Sequence, residues 1–197
     1  MSDNNLVSDM KAFYFSKDDK KLRHNDNRIC RTGRTHKFKG EPILCEQGLH
    51  ASRRLIDALH YAPGSYLWLV ELGGEIKEGG NKVVATERKY LGGFNAESLL
   101  REFARKQALI NIKEIHKYCT KKDYDLIVEY LETGNEDIRS AAGSAAWCAA
   151  DAADAAWSAV DAAYAVDAAR GAARSAAGSA AGDMLTDMVR ERTGWEI

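Results

Sequence analysis

The sequence predicts an α+β protein, with a small mixed α/β domain at the N-terminus and an all-helical, alanine-rich domain after it. Two observations support this class. Short apolar, β-prone runs bounded by glycine occur before residue 95, as in Tyr66–Leu72. From Ser140 to Asp183, alanine pairs recur every three or four residues, which is helical spacing. We therefore divide the chain into residues 1–94 and 95–197, with close-packed alanine-rich helices over residues 141–182.

In the N-terminal domain, hydrophobic pattern and turn residues predict strands and one helix. Tyr66–Leu72 is almost continuously apolar, which is typical of a central strand covered on both faces, and Gly73-Gly74 closes it. Ser52 is the candidate N-cap of the helix. The remaining predicted elements are strands over Lys11–Ser16, Asn81–Thr86 and Arg88–Leu91, and the helix over Arg53–Tyr61.

In the C-terminal domain, two amphipathic helices precede the alanine-rich segment. The first begins at Asn95 or Ser98 and runs beyond Lys106, and the second spans Lys121–Glu132. Their predicted inward faces are Leu99, Leu100, Phe103 and Gln107 in the first, and Tyr124, Ile127, Val128 and Leu131 in the second. The octapeptide RSAAGSAA occurs twice, 35 residues apart, and we expect the alanine-rich segment to break near Gly171.

Composition and charge restrict the function classes. The chain has 197 residues, a net charge of −1 and 45% hydrophobic residues. Four scattered cysteines, no apolar leader and no run long enough to span a bilayer predict a soluble protein of a reducing cytoplasm, with no membrane partner. Charge is uneven, because residues 1–135 carry about +4 and residues 136–197 about −5. This asymmetry can hold the two parts together or present opposite charges to partners.

Two charged surfaces are candidate binding sites. The segment 17–39 has an excess of six positive charges, which fits either a phosphate-binding loop or a solvated loop. Its proposed basic patch is Arg28, Arg31, Arg34 and Lys37. The alanine-rich segment carries an acidic and aromatic face, our candidate partner-binding surface: Asp151, Asp154, Trp157, Asp161 and Tyr164. The acidic face could mimic nucleic-acid phosphates, although its charges are sparse, and we do not expect direct nucleic-acid binding.

Residues capable of chemistry are present without a recognisable catalytic motif. The cysteines and histidines Cys30, His36, Cys45 and His50 do not have the paired spacing of tetrahedral zinc sites, so we expect no metal. No sequence feature places a carboxylate to orient a Cys–His pair, and neither a P-loop nor a GxGxxG motif occurs. The weak catalytic candidates are His50, Ser52 and Glu71. An enzyme is therefore the less favoured class, and no cofactor is expected outside the NAD alternative below.

The run Cys45–Ser52, Cys-x2-Gly-Leu-His-Ala-Ser, is followed by a helix, Tyr-Ala-Pro-Gly and an apolar strand. This order resembles an uncharacterised family of small proteins carried by bacteriophages and prophages, whose members often have an upstream basic segment and an alanine-rich helical tail. The resemblance implies a protein of the bacterial host cytoplasm. It implies no established activity.

A weaker resemblance is to the ADP-ribosyltransferase fold, carried by Gly48–Ser52, Ala58–Tyr61 and Leu67–Gly73. It implies NAD as the cofactor. Under this reading Arg23 or His24 would hold the NAD ribose and Ser52 the nicotinamide ribose. Glu71 or Glu75 would be the candidate catalytic acid, although neither matches that position clearly.

The leading functional hypothesis is a phage-encoded interaction protein that binds and inhibits a host protein, such as a component of an antiviral system. The alternatives are an NAD-using transferase and an acidic nucleic-acid mimic. Because alanine helices bury little apolar area, we also expect them to be covered by a second copy of the chain, giving a homo-oligomer.

Overall fold

The structure is a computed structural model that describes residues 10–23, 26–148 and 179–197. It contains an antiparallel sheet and several helices, so the predicted α+β class is confirmed. The chain forms two compact units, one of residues Met1–Asn95 with Ile197 and the other of residues Ala96–Glu196.

The first unit is built on five antiparallel strands and one short helix. β4 is central, between β1 and β5, as its apolar sequence predicts. The other edge of β5 pairs with two short strands in succession, β3 near its start and β2 further on. The elements are β1 (Met10–Ser16), β2 (Thr35–Lys37), β3 (Leu49–Ala51), α1 (Leu55–His60), β4 (Tyr66–Gly79) and β5 (Lys82–Asn95).

The sheet curls until its ends meet. Phe13 of β1 pairs with Leu69 of β4, and it also forms a two-way backbone bridge with Ser52, which directly follows β3. The Phe13 N–H donates to the Ser52 carbonyl at 2.8 Å, and the Ser52 N–H donates to the Phe13 carbonyl at 3.0 Å. Bridging the two ends satisfies backbone groups that an open edge would leave unpaired. Ser52 is therefore buried, and the prediction that it caps α1 is wrong.

The β4–β5 hairpin is longer than predicted. Gly73-Gly74 does not close β4, because the strand continues to Gly79 with a register shift between Gly73 and Ile76. The two strands predicted over residues 81–91 form one continuous strand, β5. A β-bulge absorbs an extra residue and bends the strand without ending it, so paired glycines fit a bulge as well as a turn.

The core of the first unit lies on both faces of β4. Trp68, Val70 and Leu72 belong to a cluster with Ala12, Ala85 and Tyr90. Leu67 and Leu69 alternate with them along the strand and are also buried. Burial of both alternating sets explains why this strand reads as a continuous apolar run.

The described part of the second unit is helical. α2 begins at Glu97, with Ala96 rather than Asn95 or Ser98 at the cap, and Ile112–Lys117, which follows it, is a 3-10 helix. The remaining helices include a short 3-10 turn at Glu136–Ile138. The α-helices are α2 (Glu97–Asn111), α3 (Lys121–Thr133), α4 (Arg139–Cys148) and α5 (Ser179–Thr193).

Amphipathic pattern identifies the buried faces of α2 and α3 well. All four residues predicted to face inward on α2 are buried, and so are Ile127 and Leu131 of α3. Tyr130 is buried as well, whereas Tyr124 and Val128 are only partly covered. Gly134 ends α3 in the left-handed conformation, which glycine commonly provides at a helix C-terminus.

Alanines at both ends of the alanine-rich segment are packing positions. Ala142, Ala145 and Ala146 of α4 and Ala181 of α5 are buried, and α4 packs against α3. The candidate face Asp151, Asp154, Trp157, Asp161 and Tyr164, and the expected break at Gly171, lie outside the described residues. None of the helices in the described ranges combines the length and apolar character needed to cross a bilayer.

Candidate functional site

The first unit contains a cavity of about 390 Å³ that is open to solvent. Its wall combines aromatic rings with charged side chains, four of them basic and two acidic. The rings belong to Phe13, Tyr14, Phe15, Phe38 and Tyr61, and the charges to Arg23, Arg28, Lys82, Arg88, Asp26 and Glu46. Concave sites that mix apolar surface with a few convergent polar groups are the usual places for small ligands.

All eight residues from Cys45 to Ser52 line this cavity. They form a tight turn followed by β3, and the turn depends on glycine. Gly48 has φ +115°, and a Cβ there would meet the Val84 side chain. The segment on which the phage-family resemblance rests is therefore a wall of the cavity.

Arg88 is the most unusual residue of the wall, because its side chain is 2% exposed. Its Nε and Nη2 donate to the Tyr90 hydroxyl at 3.2 and 2.8 Å, and its Nη1 donates to the His50 carbonyl at 2.6 Å. The guanidinium lies over the Tyr14 ring, 3.7 Å from its centroid. Within the described ranges, Arg88 has no ion pair with a carboxylate. A buried cation thus lines the cavity with only neutral partners.

A second layer of polar groups lies behind Arg88. The Tyr90 hydroxyl is 3.1 Å from His36 Nδ1, and burial raises the pKa of Tyr90. Burial also lowers the pKa of His36 to about 4, and the charges of Arg28, Arg88 and Arg34 act in the same direction. His36 and Tyr90 are therefore both neutral at physiological pH.

His50 lines the cavity, but its ring is already engaged. The Cys45 N–H donates to His50 Nε2 at 3.0 Å, which holds the turn between the two residues. Burial lowers the pKa of His50, and Lys82 and Arg88 act in the same direction, while hydrogen bonding to the backbone carbonyls of Gly48 and Ile43 opposes them. The neutral ring uses its Nε2 lone pair for the backbone, so its clearest role is to shape the wall.

At the cavity, Lys82 links β5 to the turn. Its Nζ lies 3.9 Å from the centroid of the Tyr61 ring and 3.5 Å from the Cys45 sulfur. The Tyr61 hydroxyl in turn donates to the Asn81 side chain at 2.8 Å. These contacts hold the Lys82 ammonium at the cavity, on a more exposed side chain than that of Arg88.

The structure brings some of the predicted site residues together and leaves others apart. His50, Ser52, Arg23 and Arg28 line the cavity, and Arg28 is paired with Asp26 at 2.6 Å. The rest of the basic patch, Arg31, Arg34 and Lys37, lies outside the lining, with Lys37 paired to Glu87.

The acids proposed for catalysis also lie outside the lining. Glu71 pairs with Lys89 at 3.2 Å, and Glu75 is near Lys77. His24 is outside the described residues. The catalytic roles stay predictions that no described contact supports.

Sequence reasoning missed Arg88, Tyr90 and Lys82 as site residues. Arg88 and Tyr90 are two apart on a strand and so share a face, and Tyr90 is fully buried. The sequence signal that could have identified Arg88 is its position two residues from Tyr90, which places a charged side chain on the buried face of the strand. Within residues 10–23, 26–148 and 179–197, no cluster of three or more His, Cys, Asp or Glu side chains could hold a metal ion.

Comparison with known proteins gives one match. No curated protein matches the chain, and no solved structure matches it. Residues 14–102, just under half of the chain, match the model of a family described as a domain of unknown function, DUF7666. The matched region contains every residue of the cavity wall except Phe13, so the cavity and the family domain coincide.

Proposed function

We propose that the first unit binds a small anionic ligand that carries a planar ring, as a nucleotide does. The observation that supports this is Arg88, a buried guanidinium on the cavity wall without a carboxylate partner among the described residues. Burying a charge is costly unless it is paired, and a phosphate or carboxylate of a bound ligand would supply the missing partner.

The surroundings of Arg88 favour a ligand with a ring. Aromatic side chains on the same wall, among them Phe38 and Tyr61, offer faces against which a planar group can stack. Lys82 and Arg28 add positive charge, so the basic side chains outnumber Asp26 and Glu46. A nucleotide combines the two features that this wall would recognise.

NAD is one member of this ligand class, and two residues of the transferase reading, Arg23 and Ser52, line the cavity. Glu71 and Glu75 do not line it. We therefore propose binding and assign no catalytic acid.

Titration of the full-length protein with AMP, pyrophosphate and NAD tests the proposal, with adenosine and nicotinamide as uncharged comparisons. We expect calorimetry to detect at least one of the three anions at sub-millimolar Kd. Arg88→Gln removes the charge and is expected to weaken that binding at least tenfold, since a charge-assisted hydrogen bond contributes about 1.5–3 kcal/mol.

Arg31→Gln is the matched control, because Arg31 is exposed and lies outside the cavity lining. It should bind as the wild type does. Absence of binding by all three anions at millimolar concentration would overturn the proposal, and so would a folded Arg88→Gln protein with wild-type affinity.

A second candidate function concerns the other unit. We propose that it is an all-helical, alanine-rich domain that binds a host protein in the bacterial cytoplasm, as the phage-family resemblance implies. The observation that favours it is the exposure of two large side chains near the end of α2 and after the following 3-10 helix, Ile110 at 60% and Tyr118 at 53%.

Pull-down from a bacterial lysate tests this second candidate. We expect the wild type to recover a stoichiometric partner and the Ile110→Ser, Tyr118→Ser double variant to lose it, while Lys122→Ser, on exposed surface of the same unit, retains it. Repeated recovery of the wild-type protein alone would count against a host partner.

A further inference from the structure

The Tyr90 hydroxyl has three polar neighbours, Arg88, His36 and Cys30. The guanidinium of Arg88 can only donate, so the Tyr90 oxygen accepts from both Nε and Nη2. The phenolic proton is then left for His36 Nδ1 at 3.1 Å or for the Cys30 sulfur, and the imidazole nitrogen takes it because a thiol sulfur is a weak acceptor. Tyr90 is thus an acceptor toward the cavity and a donor toward His36.

This direction fixes the tautomer of His36. Nδ1 must be unprotonated to accept, so the ring carries its proton on Nε2. Nε2 is buried and has no hydrogen-bond partner among the described residues. Buried donors such as this Nε2–H are rarely left unpaired. The same tautomer leaves Nδ1 free to accept the phenolic proton, so both lone pairs of the Tyr90 oxygen are available to Arg88.

We infer that Tyr90 is a positioning residue for anion recognition: its hydroxyl, with its proton directed to His36, fixes the guanidinium of Arg88 at the cavity wall. This inference rests on the proposed ligand binding. Tyr90 does not itself line the cavity. Its ring is fully buried and packs edge-on against Trp68, at 5.2 Å between ring centroids, so the hydroxyl has a fixed place.

Three contacts then hold the guanidinium. The Tyr90 hydroxyl holds the Nε–Nη2 edge, the His50 carbonyl holds Nη1, and the Tyr14 ring covers the plane at 3.7 Å. Without the Tyr90 oxygen, one edge loses its acceptor and the guanidinium can rotate away from the orientation that meets an anion. Preorganised donors bind more tightly than donors that must first be ordered.

Tyr90→Phe keeps the ring and removes the oxygen. Titrating the full-length variant with AMP, pyrophosphate and NAD, we expect at least tenfold weaker binding of whichever anion the wild type binds best. Removing the acceptor shifts the Arg88 Nε–H signal in NMR spectra of the folded variant in any case, but loss of positioning should also broaden it, because the guanidinium then samples several orientations. Tyr66→Phe is the matched control, because its hydroxyl donates to the Gly93 carbonyl at 3.3 Å, outside the cavity.

A pair of His36 variants tests the same arrangement without altering Tyr90. In His36→Asn the side-chain oxygen takes the place of Nδ1 and can still accept the phenolic proton, so binding should stay within about twofold of the wild type. In His36→Leu the acceptor is lost, and affinity should fall toward that of Tyr90→Phe. If Tyr90→Phe does not fold, this pair of variants still tests the positioning role of Tyr90.

The outcomes separate the two proposals. If the wild type binds none of the three anions, the proposed function fails. If the wild type binds an anion while folded Tyr90→Phe binds it within twofold and keeps the Arg88 signal sharp, ligand binding stands and the positioning role is overturned. Equal affinity of the two His36 variants would also overturn it.

Discussion

At the scale of single residues, the main feature of the cavity is the buried positive charge of Arg88. Arg88 has neutral partners where a structural arginine would have a carboxylate, and Tyr90 and His36 provide the polar layer behind it. Desolvating an arginine is costly, and here neutral oxygens and the Tyr14 ring, with no carboxylate among the described residues, offset that cost. Residues that keep such an unbalanced charge are candidates for ligand contact.

His36 makes stability depend on pH. Its pKa is lowered from 6.5 to about 4 by burial first, and then by Arg28, Arg88 and Arg34, while Asp26 acts in the opposite direction. Between these values the unfolded chain binds a proton that the folded protein does not, so stability falls as pH falls from 6.5 to 4. The loss attributable to His36 is about 3 kcal/mol at most.

Urea unfolding of wild type and His36→Gln at several pH values measures this contribution. The variant cannot take up that proton, so its free energy of unfolding should fall less steeply over this window. Thr35→Ser, an exposed change on the same strand that alters no ionisable group, should keep the wild-type slope. Identical slopes for wild type and His36→Gln would show that His36 is not buried in its neutral form.

At the scale of elements, the β4–β5 hairpin depends on a close approach between its strands. Gly93 is paired with Trp68, and a Cβ at Gly93 would overlap the Trp68 ring. That ring is fixed by its indole N–H, which donates to the Ser16 hydroxyl at 3.0 Å. Gly93→Ala should therefore lower the free energy of unfolding by about 1–3 kcal/mol.

Gly73→Ala is the control for this prediction. A Cβ at Gly73 would meet only the Glu87 Cβ, at an ordinary 3.8 Å. Both substitutions reduce the chain entropy of the unfolded state equally, so the difference between their urea midpoints reports the clash. Equal midpoints would mean that Trp68 can move aside.

The N-terminus of α3 offers a second test at this scale. The Thr120 hydroxyl accepts from the Asp123 N–H at 3.2 Å and is 2.7 Å from the Asp123 carboxylate. Thr120→Ala should cost about 1 kcal/mol, the usual value for an N-cap. Lys122→Ala, exposed in the same turn, should cost little, and a comparable loss in both variants would show that the cap contributes nothing specific.

These elements show what sequence reasoning could and could not predict. Long periodic patterns identified α2, α3 and β4, because burial repeats along them and does not depend on distant partners. The short strands β2 and β3 were missed, since three residues carry too little pattern and their pairing depends on β5. The site was predicted only in part for the same reason. The Cys45–Ser52 segment was recognised from its sequence, but the contact between its His50 carbonyl and Arg88 depends on the pairing of β3 with β5.

At the scale of the whole molecule, the main question is what covers the alanines of the alanine-rich segment. Where its ends are described, one side of each helix is covered: Ala142 is fully buried and Ala181 is 2% exposed, whereas Ala141 and Ala180 are exposed. Each buried methyl contributes only on the order of 0.8 kcal/mol to stability. Many alanines along the segment must therefore be buried together to stabilise the helices. If the second unit binds a host protein as proposed, the net charge of about −5 over residues 136–197 favours a basic partner.

Self-association is the prediction that belongs to this scale. Because few bulky residues accompany the alanines, we expect a second copy of the chain to cover them, and sedimentation at tens of micromolar should show a closed oligomer. Ala142→Leu enlarges a buried position of α4 and should destabilise the helical unit by about 1–3 kcal/mol, whereas Ala141→Leu, at an exposed position of the same helix, should not. If Ala141→Leu alone weakens the oligomer, the exposed side of α4 belongs to the interface. A wild type that sediments as a monomer would contradict self-association and leave the alanine surface to be covered within one chain or by a foreign partner.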